Sequence, residues 1–220
     1  MAGAGWPVFP LAGAVEKNGA LTCSCWKHDE CISPAKHPLT YNGFFDATTD
    51  ADEVRGWARQ YRVANIGLRT GVTCDVLDLD EGGLESLIGW TKAGQRDIDD
   101  DVAEVLHIFD GPVARTGKGF HLYVKPTGTG NGAKLLPGVD WRGDGGYVVV
   151  PPSHHVNGTT YEWLRKGKLL EAPDWLEALL HPPTCDFVLR SGRVCGESKT
   201  HAHKEVTFTS SVDQVLGLAS

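Results

Sequence analysis

Cys74-Asp-Val-Leu-Asp-Leu-Asp80 and Val139-Asp-Trp-Arg-Gly-Asp-Gly-Gly-Tyr-Val-Val-Val-Pro-Pro-Ser153 are the two stretches on which the fold turns. Both read as strands. A strand sends alternate side chains to opposite faces, so Asp78 and Asp80 share one face while Leu77 and Leu79 take the other. The same period puts Asp140 beside Arg142 and leaves Val139 and Trp141 for the far side. Two full negative charges 4 Å apart repel by roughly 4 kcal/mol at an effective dielectric of about 20, so a face carrying Asp78 and Asp80 calls for a cation between them. A hard divalent ion such as magnesium suits an all-oxygen set. The competing reading is a strand end with two solvated acids, and the rest of the chain must decide between them.

Working outward, Trp6-Pro-Val-Phe-Pro-Leu11 is a short apolar run whose two prolines favour an edge strand. Asp50 and Glu53 form a capping pair ahead of Val54, Trp57, Ala58 and Tyr61, whose spacing predicts an amphipathic helix. Further strands are predicted at 65–68, 113–116, 120–124, 147–150 and 161–164, separated by glycine-rich turns. A helix is expected from Leu84 to about Lys92, and Pro173-Asp174-Trp175 opens a short one. The acidic run from Asp97 to Asp101 reads as solvated surface. The fold class is α+β.

With 41% hydrophobic side chains over 220 residues, the chain can bury a core without disulfides. No stretch approaches the roughly twenty apolar residues of a membrane helix, and Met-Ala-Gly-Ala-Gly-Trp lacks the features of a signal peptide, so a cytoplasmic location is expected. The net charge of −7 argues against tight electrostatic capture of nucleic acid. A local basic face is still compatible with it.

Cys23, Cys25, Cys31 and His37 are spaced C-x-C-x5-C-x5-H, with His28 as a spare candidate. Three thiolates and an imidazole are a common tetrahedral zinc set, and four protein ligands make the site structural. The competing reading is free surface cysteines, which a reducing compartment rarely accumulates in one loop. Beyond Pro182-Pro183 the composition shifts, so 184–220 is treated as an appended tail or small module. Its Cys185, Cys195, His201 and His203 either hold a second zinc or are incidental; the spacing leaves both open.

Between the two deciding stretches lies Thr116-Gly-Lys-Gly-Phe-His-Leu-Tyr-Val124. An Asp-x-Asp strand, a glycine-rich turn into a strand with His and Tyr, and Gly-Val-Asp-x-Arg-Gly-x-Gly-Gly-Tyr ending in Pro-Pro-Ser together resemble the bifunctional primase-polymerase domain of the archaeo-eukaryotic primase superfamily, bacterial or phage type. The resemblance runs from residue 6 to about 177. It takes in Phe44-Phe-Asp-Ala-Thr-Thr49, Asn65-Ile-Gly-Leu68, Ser153-His-His155 and Tyr161-Glu-Trp163, and Lys36-His-Pro38 matches the end of the family's Cys-rich insert.

The resemblance implies an N-terminal α/β unit packed on an RRM-like unit, with the catalytic face between them, over residues 1–183 and with the zinc loop at 22–38. It implies template-dependent joining of nucleoside triphosphates in DNA replication, with Asp78, Asp80 and Asp140 as ligands to magnesium or manganese. His121 and Arg142 would contact the nucleotide's phosphates. His121 faces with Tyr123, away from Phe120, Leu122 and Val124, and is therefore not read as a plain core histidine. Thr116 and Lys118 are further nucleotide-binding candidates, although Lys118 stands where the family commonly has a small residue. The implied partners are a single-stranded DNA template, nucleoside triphosphates and a replicative helicase, in a bacterial or phage-infected cell. Two other readings use the same residues: a metal-dependent phosphodiesterase, and a zinc-stabilised DNA- or helicase-docking module with a vestigial site.

Overall fold

The computed structural model describes residues 5–91 and 100–182. In chain order the elements are β1 (Val8–Ala12), β2 (Ala14–Lys17), β3 (Ala20–Cys23), α1 (Ala51–Gln60), β4 (Ala64–Arg69), β5 (Asp75–Leu79), α2 (Gly83–Thr91), α3 (Asp101–Ile108), β6 (Val113–Arg115), β7 (Phe120–Val124), β8 (Gly132–Leu136), β9 (Val139–Arg142), β10 (Tyr147–Val150), β11 (Glu162–Arg165) and α4 (Asp174–Leu180). The chain divides into a unit Met1–Glu177, which holds everything that follows, and a unit Ala178–Ser220. Of the second, the described residues are the end of α4 and residues 181–182, so Cys185, Cys195, His201 and His203 lie outside them.

Three strands in the order β1-β4-β10 make one antiparallel sheet, and six in the order β11-β6-β7-β5-β9-β8 make another. β1 is an edge strand, as its prolines require. Phe9 lies opposite Gly67 in the register, and a Cβ on that glycine would sit 2.5 Å from the phenyl ring. At α1 the Asp50 carboxylate accepts the N–H groups of Asp52 and Glu53, satisfying two donors that the first turn leaves open.

The core joins the sheets. Val8, Leu68, Val148 and Val150 from the first pack with Val76, Ala114 and Tyr123 from the second, and Val54 of α1 adds to the cluster. Val76 shares a face of β5 with Asp78, so this acid looks toward the first sheet. Leu77 and Leu79 face the other way and are fully buried. α2 packs against β8 and β9.

Three elements depart from the sequence reading. Asn18 and Gly19, both at positive φ (54° and 79°), turn the chain between β2 and β3, a hairpin that was not expected. The strand β8 was also not foreseen. Asp100 and Asp101 are exposed, as a solvated acidic run should be, but they open a helix: Asp100 caps α3 by accepting the Val102 N–H at 3.0 Å. Residues 97–99, and Lys92 at the expected end of α2, lie outside the described residues. No described helix is long and apolar enough to cross a membrane.

Candidate active site

β5 is flanked by β7 and β9, and the register sets Asp78 directly opposite His121 on one side and Asp140 on the other. Directly opposed residues share a face. The Nε2 atom of His121 lies 3.3 Å from Asp78 Oδ1. Arg142 spans the two acids, its Nη2 lying 3.3 Å from Asp78 Oδ2 and 2.7 Å from Asp140 Oδ2. The other Asp140 oxygen accepts the Lys134 N–H at 2.7 Å, so both of its oxygens are engaged.

Burial by itself raises the pKa of Asp78, but the charges of His121, Arg142 and Lys36 outweigh it and hold the carboxyl below its ordinary value. The acid is ionised in a nearly closed setting because cations surround it. Asp80 follows the end of β5 and is exposed, its own N–H donating to the Gly138 carbonyl at 2.8 Å.

Asp78, Asp80, Thr116, Lys118, His121 and Arg142 line one cleft of about 290 Å³, whose opposite wall is built by Lys36, Phe44 and residues 145–149. That is near the lower end of the roughly 300–1,000 Å³ of ligand sites. The cleft thus lies between the two sheets. Asp140 is not among its wall residues; it stands behind Arg142. His121 is more enclosed than the strand alternation suggested. The first sheet covers this face of β7, leaving His121 only 5% exposed, and its Nδ1 lies 3.3 Å from the Tyr123 hydroxyl.

Thr116 Oγ1 accepts the N–H groups of Lys118 and Gly119, so its oxygen holds the turn. Gly119 has no alternative there, since a Cβ would meet the Leu79 carbonyl oxygen at 2.1 Å. Lys118 is exposed at the cleft mouth.

Several wall residues have no role assigned from sequence. Lys36, Phe44 and Asn131 carry no periodic signal. His155, although inside a matched segment, was also left without a role. Burial lowers its pKa, and its Nδ1 accepts the Asn157 N–H at 3.2 Å. Tyr161 also lines the cleft; burial pushes its phenol well above the ordinary value.

The second candidate centre is the loop after β3. The ligand atoms of Cys23, Cys25, Cys31 and His37 all lie within 4.8 Å of one another, with His37 Nδ1 3.5 Å from Cys31 Sγ. Among the described residues this is the one such group of three or more thiol, imidazole or carboxylate donors; Asp78, Asp80 and Asp140 are not so tightly gathered. The soft donor set fits a structural zinc ion. His28 instead turns its Nδ1 to the Cys23 carbonyl at 3.0 Å. Cys74 is buried apart from the loop, and burial pushes its thiol up to about 12. The loop is tied to the first sheet by Ala12 N–H to His37 O and Leu39 N–H to Pro10 O, and Tyr147 donates to Lys36 O. It thereby sets Lys36 in the cleft wall.

Residues 1–175 match the model of the family described as bifunctional DNA primase/polymerase, N-terminal, and the chain belongs to that family. No curated protein matches the chain. Membership makes it a domain of the DNA primase/polymerase type of nucleotidyltransferase, with nucleotides and DNA as its substrates.

Proposed function

We propose that this chain joins nucleoside triphosphates on a single-stranded DNA template by two-metal phosphoryl transfer, serving replication in a bacterial or phage-infected cytoplasm beside a replicative helicase. The observation that carries the reading is an ionised Asp78, held between His121 and Arg142 on the wall of a cleft between two sheets. The strand order β6-β7-β5-β9, antiparallel throughout and with α2 and α3 in the connection from β5 to β6, supports an RRM-like catalytic unit in which β8 stands where a second helix is usual.

Asp78 and Asp80 offer hard oxygens to the cleft, a set that fits magnesium or manganese. Asp140 completes it when Arg142 turns from the carboxylates to a phosphate. Bound there, such ions would activate the attacking hydroxyl and neutralise charge on the departing pyrophosphate. The chain's own part is to place and neutralise the triphosphate. Arg142 and His121 meet it from the cleft wall, with Lys118 at the mouth and Lys36 opposite. His155, kept neutral by burial, adds an uncharged ring to the same wall. Cys23, Cys25, Cys31 and His37 would hold a zinc ion, which would fix the loop that carries Lys36.

The test is incorporation of labelled ribo- and deoxyribonucleotides on primed and unprimed single strands, with magnesium or manganese. Template-directed products that vanish with a chelator are expected. Metal-dependent cleavage of the strand without incorporation would mean a phosphodiesterase, and DNA binding without either would mean a docking module.

A further inference from the structure

Beside the cleft stands an aromatic ledge that the catalytic reading does not use. Phe44 and Phe45 stack at 4.3 Å between ring centroids, and Phe44 continues onto Tyr147 at 6.1 Å with nearly parallel planes. The short helical turn Gly43–Asp46 that carries the pair is braced by two hydrogen bonds from Asn42 to the Asp46 carboxylate and one from Thr40 to the Gly43 carbonyl. Phe45 is nevertheless 64% exposed, and Tyr41, just before the turn, is 99% exposed. Phe44 packs on the core and Phe45 on Phe44, but the outer face of Phe45 and the whole of Tyr41 remain in water, a surface that gains by being covered.

The cations around the ledge indicate what that is. The Arg69 guanidinium lies 5.7 Å from the centre of the Phe44 ring and 5.4 Å from that of Phe45, and its Nε is buried without a hydrogen-bond partner. Among the described residues neither Arg69 nor Lys36 has a carboxylate within ion-pair distance. Exposed rings beside cations that no carboxylate pairs are the composition of a single-strand nucleic-acid surface, where each base stacks on a ring and each phosphate meets a charge. Phe44 forms part of the cleft wall whereas Phe45 does not, so a base on Phe45 lies outside the cleft assigned to the triphosphate.

We propose that Phe45, backed by Phe44 and flanked by Tyr41, Arg69 and Lys36, stacks a base of the single-stranded template at the entrance to the cleft. The inference rests on the nucleotidyltransferase reading for the word template, but its chemistry is single-strand stacking. It also answers the charge of −7: affinity that phosphate neutralisation does not supply comes from ring faces.

Fluorescence anisotropy of a labelled single strand tests it with Phe45→Ala, Phe45→Trp and Tyr41→Ala, alongside an abasic strand and a duplex of the same length. Phe45→Ala should weaken single-strand binding about tenfold, Tyr41→Ala should weaken it less, and Phe45→Trp should match the parent chain. The abasic strand should bind the parent chain at least as weakly as the intact strand binds Phe45→Ala. A fluorescent triphosphate should bind all variants within about twofold, since the ledge lies outside the cleft. Undiminished strand binding by Phe45→Ala, a parallel loss of triphosphate affinity, or equal binding of duplex would each overturn the proposal. Phe45-dependent strand binding in a chain that incorporates no nucleotide would support the ledge and overturn the catalytic reading instead.

Discussion

Asp78 and His121 face each other across adjacent antiparallel strands, with the imidazole Nε2 3.3 Å from the carboxylate. Asp78 also faces Arg142, which keeps its shorter contact to Asp140 when the Asp78 charge is removed, and the leucines beneath stay packed. We expect Asp78→Asn, Asp80→Asn and Asp140→Asn each to lower incorporation by at least about a hundredfold with the fold retained, Asp78→Asn being the one that also lowers the thermal midpoint. Incorporation rates and near-ultraviolet circular dichroism check this. Near-parental activity in any two of them would remove the site assignment.

Zinc content should be close to one equivalent in protein purified under reducing, chelator-free conditions, and less than about half an equivalent would count against the site. Cys31→Ser should lose the metal, whereas His28→Ala should keep it, because His28 turns to a backbone carbonyl and not to the cluster. Metal analysis of the two variants separates a ligand of the cluster from the spare histidine.

How much of this was legible beforehand depends on what carried the signal. β5, β7 and β9 were readable because charged and apolar residues alternate, and α1 because Asp50 and the spacing of Val54 and Trp57 announce it. The Asn18-Gly19 turn is a hairpin signal, but the same dipeptide recurs at Asn42-Gly43, Asn131-Gly132 and Asn157-Gly158, so by itself it does not single out this turn. Helix α3 was hidden because the acids at its start drew the reading away from Val102, Val105 and Leu106. Strand β8, Gly-Ala-Lys-Leu-Leu, lacks alternation and contains Lys134 at φ 61°, so no periodic rule finds it. The enclosure of His121, and the arrival of Lys36 and Phe44 opposite it, arise from packing of one sheet on another and have no local trace.

Stability should depend on pH through His155. Burial, with smaller contributions from Lys36 and Lys118, lowers its pKa in the fold against the opposing effects of the Asn157 side chain and Asp80. The unfolded chain therefore takes up a proton first, near pH 6.5, and the contribution present above that value is lost as pH falls below it. Asp78 adds a later loss of the same sign, beginning below the ordinary carboxylate range near pH 4. Urea midpoints measured from pH 8 to pH 5 should decline less steeply in His155→Gln than in the parent chain; identical slopes would show that this imidazole is not the sensor.

Template affinity should rise when metal and a complementary triphosphate are present together. Divalent ions neutralise the acids, and a triphosphate held by His121 and Arg142 presents a base that pairs with the strand. Anisotropy with metal alone, triphosphate alone and both should reveal a gain only in the last case, and His121→Ala or Arg142→Ala should erase the gain while sparing basal binding. Equal affinity in all three conditions would mean that the strand and the triphosphate bind independently.

The core that joins the sheets limits how the cleft can work. Val8, Leu68, Val148 and Val150 on one side interlock with Val76 and Tyr123 on the other, and β9 of one sheet runs through a short glycine-rich turn into β10 of the other. Prying the walls apart would expose that interior, and close-packed interiors resist gradual deformation. A hinge between these two walls would have to break that interior. On the proposed function, the width of the slot is then set when the chain folds, and selection among nucleotides falls to a few long side chains at its edges swinging within fixed jaws.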